Sequence, residues 1–328
     1  MKFTKTALAG AALGMGAWLT MTRKGLLAPA TPPVLELPGH AASHNDTGSI
    51  TFIGTATVLL QVCGFTLLTD PNFLHRGQHI HIGYGLTTKR LTDPAMDIED
   101  LPPLDACVLS HMHEDHFDRV AIEKLDHSLP IATTPNAAQS LRFHGFSRPL
   151  ALSTWQSLVL RKDGVSLRLT SMPGRHGPYP LELAMPPVMG TMLDFERGGE
   201  RLLRLYISGD TLLHEALHEI PRRFPGVDLM LLHLGGTRLG GVLVTMDAAQ
   251  GLKTMQLIRP RKTLPIHYND YPVFKDPLDN FKHAVSQAGL EGDVVYLRHG
   301  DTFDFDLAEL RGQPRSAVGA GAGRGAAL

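Results

Sequence analysis

Short apolar runs recur along the chain, and each is closed by glycine, proline, aspartate or asparagine. The runs at 50–53, 57–62 and 65–68, broken by Gly54 and Gly64, predict an opening meander of strands. Further runs at 106–109, 165–170, 202–207, 229–232 and 263–266 each end within a few residues of a His or an Asp. Helical spacing separates them at 120–125, 212–220, 246–258 and 278–288. The alternation predicts a layered α/β or α+β protein. In such folds the loops at the C-terminal tips of the strands converge on one rim. The residues expected there are His111, His176, Asp210, His233 and His267.

The two ends read differently. Residues 6–22 carry no charge, with Lys2 and Lys5 before them and Arg23 and Lys24 after. The run is at the short limit for a membrane span and slightly long for the core of a signal peptide, so residues 1–30 are expected to be one or the other. A buried helix of the domain is the remaining reading. The charge balance across the run places the body outside the cytoplasm, with the cytoplasmic face of the membrane as the alternative. Residues 31–47 are expected to be a proline-bearing linker, 48–306 the folded body, and 307–328 a Gly/Ala-rich flexible tail.

Composition narrows the function. With 43% apolar residues among 328, the chain can bury a full core. Its 31 Lys+Arg against 32 Asp+Glu, with no basic run, gives no footprint for nucleic acid. Cys63 and Cys107 lack C-x-x-C partners, which excludes a disulfide framework and a thiolate zinc knuckle. Histidine is abundant at 17, and unevenly placed.

The densest stretch is Ser110-His111-Met112-His113-Glu114-Asp115-His116, an H-x-H-x-D-H run following a strand. Imidazole and carboxylate suit zinc and similar first-row ions, and His111 and His113 can face one ion while Asp115 and His116 turn toward another. A solvated, His-rich turn is the plain alternative.

This run is similar to the metal motif of the metallo-β-lactamase fold superfamily. The opening SITFIGTATVLLQVCGFTLLTDP, His176 in PGRHGP, Asp210 in YISGDT and His267 in PIHYND resemble that family's later motifs in order. The TDP segment and FPGVDLMLLHLGGT followed by MDAAQ resemble the branch holding N-acyl phosphatidylethanolamine phospholipase D and L-ascorbate-6-phosphate lactonase. The resemblance implies a four-layer αβ/βα sandwich with the site at one edge, between the sheets. It implies two divalent ions, zinc with manganese or iron as alternatives. His111, His113 and His176 would hold the first, Asp115, His116 and His267 the second, and Asp210 would bridge them. A metal-bound hydroxide would attack, with Asp115, Asp210 and His267 as the catalytic set. Asp70 would support a ligand, or cap the turn before Pro71. Where relatives of this branch show Gly-His, this chain has Gly54-Thr55.

The expected reaction is metal-dependent hydrolysis of a phosphodiester in a phospholipid-like molecule, with a lactone or other small ester as the alternative. The substrate is thus a small molecule or a lipid, reached near a membrane if the N-terminal segment anchors the body. A di-iron redox protein and a non-catalytic metal-binding protein are rivals of other classes. A second motif, H-E-x-x-H at His214–His218, matches zinc proteases. It lacks their third ligand, since Pro221 and Phe224 stand where a metzincin has Gly and His. His214, Glu215, His218 and Glu219 are expected on the solvated face of a helix. His75, His79 and His81 are expected in a surface loop, with a pocket mouth as the alternative.

Overall fold

The computed structural model describes residues 31–39, 46–82 and 87–313. The described residues from Pro33 onward form one compact unit. In chain order its strands open with β1 (Val34–Glu36), β2 (Thr47–Gly54), β3 (Thr57–Val62), β4 (Phe65–Thr69), β5 (His79–His81) and β6 (Thr87–Lys89). Then come β7 (Ala106–Val108), β8 (Ile131–Thr133), β9 (Pro149–Ala151), β10 (Ser157–Lys162), β11 (Val165–Met172) and β12 (Gly190–Arg197). The last are β13 (Glu200–Ile207), β14 (Leu229–His233), β15 (Arg238–Leu239), β16 (Val242–Leu243), β17 (Lys262–Ile266) and β18 (Thr302–Asp306). The α-helices are α1 (Arg119–Lys124), α2 (Pro135–Phe143), α3 (Glu219–Arg223), α4 (Ala248–Ile258), α5 (Leu278–Gln287) and α6 (Leu307–Gly312).

Two seven-stranded sheets form the sandwich, in the orders β1-β10-β11-β12-β13-β14-β17 and β18-β2-β3-β4-β7-β8-β9. Both are mixed: β13, β14 and β17 run parallel, as do β4, β7, β8 and β9, while β10–β13 and β18, β2, β3 and β4 pair antiparallel. Parallel neighbours need crossover connections, and these supply α1 and α2 in one half and α3 and α4 in the other.

The period of two along the strands separates the layers. Leu60, Leu67, Ala106 and Val108 join the large core cluster that holds Leu167, Leu169, Leu193 and Leu205 of the other sheet. Their chain neighbours Leu59, Leu68 and Cys107 point the other way, into a cluster with Ala121, Ala137 and Leu141 of α1 and α2. The buried residues Met255, Ile258, Phe281 and Val285 extend the large cluster into α4 and α5. This is the α+β, four-layer αβ/βα arrangement expected from the sequence.

Three local expectations change. Residues 34–36, within the expected linker, form an edge strand parallel to β10, with Leu37 N–H donating to Arg161 O at 2.8 Å. Its prolines precede the pairing residues, and Leu35 and Leu37 pack against the core. Residues 307–312, within the expected tail, form α6: Asp306 accepts from Ala308 and Glu309 N–H, while Leu307 and Leu310 are buried one turn apart. The stretch 212–220 is not one helix. It is a 3₁₀ turn (Glu215–His218) running into α3, with His214 extended at φ −148°. The remaining expectations for residues 1–30 and for the end of the tail fall outside the described residues. Among the described residues no helix is long and apolar enough to cross a membrane.

Candidate metal centre

The strand directions bring the polar tips together. β7, β11, β13, β14 and β17 all point their C-terminal ends to one edge, where they release His111, His176, Asp210, His233 and His267. The turn after β7 adds His113, Asp115 and His116, whose N–H donates to His113 O at 3.0 Å. Two groups take in the expected ligands, His111, His113 and His176, and Asp115, His116, Asp210 and His267, and a third set, Asp70, His116 and His233, shares His116. Within each group the candidate ligand atoms lie within 4.8 Å of one another.

Hydrogen bonds on the far side of the rings fix which nitrogen faces inward. His176 Nδ1 lies 2.9 Å from Val244 O and His267 Nδ1 lies 3.0 Å from Leu234 O. A carbonyl only accepts, so each Nδ1 carries the proton and Nε2 presents its lone pair to the centre. His116 Nδ1 donates to Asp70 Oδ2 at 3.0 Å. Asp70 is itself held by the N–H and hydroxyl of Ser110, at 2.7 and 2.9 Å, and by His233 Nε2 at 3.4 Å. Asp70 thus braces a ring of the centre as well as ending its strand. His233 stacks on His116 with centroids 5.9 Å apart and faces Asp70, not the centre.

Whether this donor set fits metal ions is tested by its unpaired atoms. His116 Nε2, Asp210 Oδ1 and His267 Nε2 are buried without a hydrogen-bond partner. Across the centre, His116 Nε2 stands 3.4 Å from Asp210 Oδ2, and His267 Nε2 stands 3.4 Å from Asp115 Oδ2 and 3.5 Å from Asp210 Oδ1. In the other group, His111 Nε2 and His176 Nε2 both aim at His113 Nδ1, at 2.9 and 3.3 Å. One proton serves one such contact, so three inward imidazole nitrogens call for a shared cation. Buried polar atoms left without partners are costly, and divalent ions complete both groups.

The electrostatics agree. Burial, aided by the neighbouring His116, holds His111 well below the usual imidazole range, and burial takes His113 down to about 3. His111, His113 and His176 are therefore neutral, as ligands must be. Burial alone would raise the carboxyls of Asp115 and Asp210. The surrounding histidines outweigh it and keep both ionised. Burial also opposes charge on His116 and His267, but their facing carboxylates prevail and raise both.

The backbone is bent to make the site. His267 has φ +63°, and its N–H donates to Thr55 O at 2.6 Å. Gly235, at φ +93°, leaves room that a Cβ would lose, since it would meet His267 O at 2.6 Å. Thr55 adds an N–H bond to Asp270 Oδ2 at 2.7 Å. The centre opens into a cavity lined by His113, Asp115, His176, Asp210 and Thr237, and by the apolar Ile82, Met185, Leu239, Val244 and Val273.

The other histidines stay apart. His214 and His218 belong to neither group, and the 3₁₀ turn does not stack them one helical turn apart. His214 is not on a solvated face: burial, aided by the charge of Arg175, pushes it down to about 4. His75 pairs with Asp93 and Asp97 on the surface. His81 N–H and ring donate to Glu114, at 2.7 and 3.0 Å, so the β5–β6 hairpin is tied to the ligand turn. Sequence reasoning missed Ser110, Thr245 and Glu114. Thr245 donates to Asp210 Oδ2 at 3.0 Å. Their only signal was adjacency to a ligand or to the cavity-lining Val244.

Fold and donor set together define a metal-dependent hydrolase with a His/Asp metal-binding cluster. The family model described as the beta-lactamase superfamily domain matches residues 66–268, and the chain belongs to that family. A UPF0173 metal-dependent hydrolase of Thermus thermophilus is 30% identical over 210 residues, covering 62% of this chain and 81% of that protein. N-acyl-phosphatidylethanolamine-hydrolyzing phospholipase D 1 of Caenorhabditis elegans is 25% identical over 281 residues, covering 78% and 77%. Among solved structures, an isothiocyanate hydrolase from Delia radicum gut bacteria shares the fold with a TM-score of 0.66. It is 22% identical, over 79% of this chain and 99% of that one.

Proposed function

We propose that the chain is a two-ion hydrolase of phosphodiesters that carry an apolar group, as in a phospholipid. The observation that carries this reading is the cavity wall. Ile82, Met185, Leu239, Val244 and Val273 share the cavity with Asp115 and Asp210, and no Lys or Arg is among its lining residues that the structure describes. A wall of that kind suits a substrate whose reacting group is polar and whose remainder is apolar. It gives a free phosphate monoester no cationic partner. The likeness to the phospholipase D of C. elegans supports the same class.

In this reading His111, His113 and His176 would hold one divalent ion, and Asp115, His116, Asp210 and His267 would hold the other. When bound, such ions acidify a water and offset the charge that builds on the attacked group. The chain does the rest. Asp115 and Asp210, kept ionised, accept hydrogen bonds from the attacking water and orient it. His267, its Nδ1 tied to Leu234 O, keeps Nε2 aimed at the ion site. Asp70 keeps the His116 ring from turning, and the apolar wall excludes bulk water. The apolar run at 6–22 would hold the body close to lipid, outside the cytoplasm.

The test is activity of chelator-stripped protein after restoring zinc, manganese or iron, against bis-p-nitrophenyl phosphate, a phospholipid phosphodiester and a lactone panel. Ion-dependent turnover of the phosphodiesters, with preference for the lipid, is the expected result. Turnover of lactones alone would replace the phosphodiester with an ester substrate, and iron-bound protein without hydrolysis would favour redox chemistry.

A further inference from the structure

Arg90, immediately after β6, is completely buried and is the largest such side chain among the described residues. A buried guanidinium is expensive unless its donors are used. Yet Nε and Nη2 have no partner among the described residues, and Nη1 donates to a single one, Asn72. It donates to Asn72 O at 2.9 Å and, closer still, to Asn72 Oδ1. Space is made for it: a Cβ on Gly54 would meet Arg90 Nη2 at 2.9 Å.

Asn72 is a two-sided connector. Its Oδ1 receives only donors: Arg90, the Tyr271 hydroxyl at 3.0 Å and the Thr55 hydroxyl at 3.4 Å. Its Nδ2 meets only acceptors: Glu114 O at 2.9 Å and Asp118 Oδ2 at 3.3 Å. The amide therefore has one satisfied orientation. Glu114 lies between His113 and Asp115, and Tyr271 follows His267 in the next turn of chain. The two ligand turns, about 150 residues apart in sequence, thus meet at one side chain that is not itself a ligand. Asp118 and Asp270 frame the arrangement. Asp118 accepts from Phe73 and Leu74 N–H at 2.5 and 2.7 Å, and Asp270 accepts from Thr55 N–H and the Thr92 hydroxyl at 2.7 and 2.5 Å.

We propose that Arg90, Asn72 and Tyr271 form a positioning hub that sets the separation of Asp115 from His267, and so the affinity of the Asp115/His116/Asp210/His267 ion site. The hub meets the other site only at Glu114 O, beside His113. His111 is steadied by Ser110 and His176 by Val244 O, and neither bond touches the hub. Arg90 acts through Asn72; it is a positioning residue, remote from the reacting atoms. The inference rests on the two-ion reading above, and its test separates the two.

Full-length wild type, Tyr271→Phe and Arg90→Met are stripped of ions and titrated with zinc against a competing chelator. The wild type takes up two ions. Tyr271→Phe is expected to bind one of the two about tenfold less tightly and to change the other much less, with a larger loss in Arg90→Met. Hydrogen exchange of the ion-free proteins is the second readout. Peptides covering 111–118 should exchange faster in Tyr271→Phe, although residue 271 lies in the other turn, while β10–β11 stays as in wild type. A merely structural role would lower melting temperature without either selective change. Wild-type zinc affinities together with wild-type exchange at 111–118 in Tyr271→Phe overturn the proposal, whether or not Arg90→Met folds. If the wild type binds fewer than two ions, the two-ion reading fails and the exchange measurement alone decides the hub.

Discussion

His116 donates its Nδ1 proton to Asp70 over 3.0 Å, and both side chains are closed to solvent. The bond fixes the ring plane and sends Nε2 toward Asp210. Asp70→Ala leaves that ring free to turn, so zinc affinity should fall about 10–100-fold with the fold retained, as read by competitive titration.

The same carboxylate predicts an acid response. Burial would raise the Asp70 carboxyl, but the charge and hydrogen bonds of His116 and His233 hold it at about 2, below its ordinary 3.8. A depressed carboxyl contributes stability that is complete above its unfolded value and lost as pH falls through its folded one. The difference is worth about 2 kcal/mol. Ion-free wild type and Asp70→Asn should therefore converge in stability between about pH 4 and pH 2, in denaturant melts across that window.

Ion uptake should strengthen with pH. The carboxylates that face His116 and His267 outweigh their burial and raise both rings, so the ion-free centre holds protons that a cation must displace. Zinc binding should release protons near neutral pH and weaken steadily on acidification. Calorimetry in buffers of different ionisation enthalpy reads the number released; release of none would contradict the raised values.

His111→Ala and Asp210→Ala should lose ions and turnover together, measured by metal analysis and hydrolysis of bis-p-nitrophenyl phosphate. His214→Ala and His218→Ala should keep both, because neither belongs to a ligand group. Loss of ions in the second pair would restore the H-E-x-x-H reading.

Gly235→Ala presses on the backbone behind a ligand. Its new methyl would sit 2.6 Å from His267 O at a φ of +93°. A loss of about 2 kcal/mol is expected from strain alone, with weakened ion binding at the His267 side, read by thermal melting and zinc titration.

Much of this was legible in the chain. Continuous apolar runs such as Leu59-Leu60 and Leu67-Leu68 announce strands buried on both faces, and the ligand residues come after runs of the same kind. The short strands β8 and β9 and the edge strand β1 were not, because three residues of apolar chain carry no readable period. The run 212–220 misled because its apolar spacing fits a helix, whereas Pro221 confines the α-helical geometry to one short segment. Asn72 and Arg90 were invisible for another reason: their partners are distant in sequence, and nothing local marks an amide as a junction.

The ligand set is divided between the sheets. His111, His113, Asp115 and His116 come from the half built on β2–β9, and His176, Asp210 and His267 from the half that begins at β11. A nick in the tight hairpin at Gly164 would leave each fragment with an incomplete donor set. Neither piece alone could capture a pair of cations, while a mixture that reassociates could. Cation capture is in this sense a read-out of complementation: it reports that the two parts of the polypeptide have found each other.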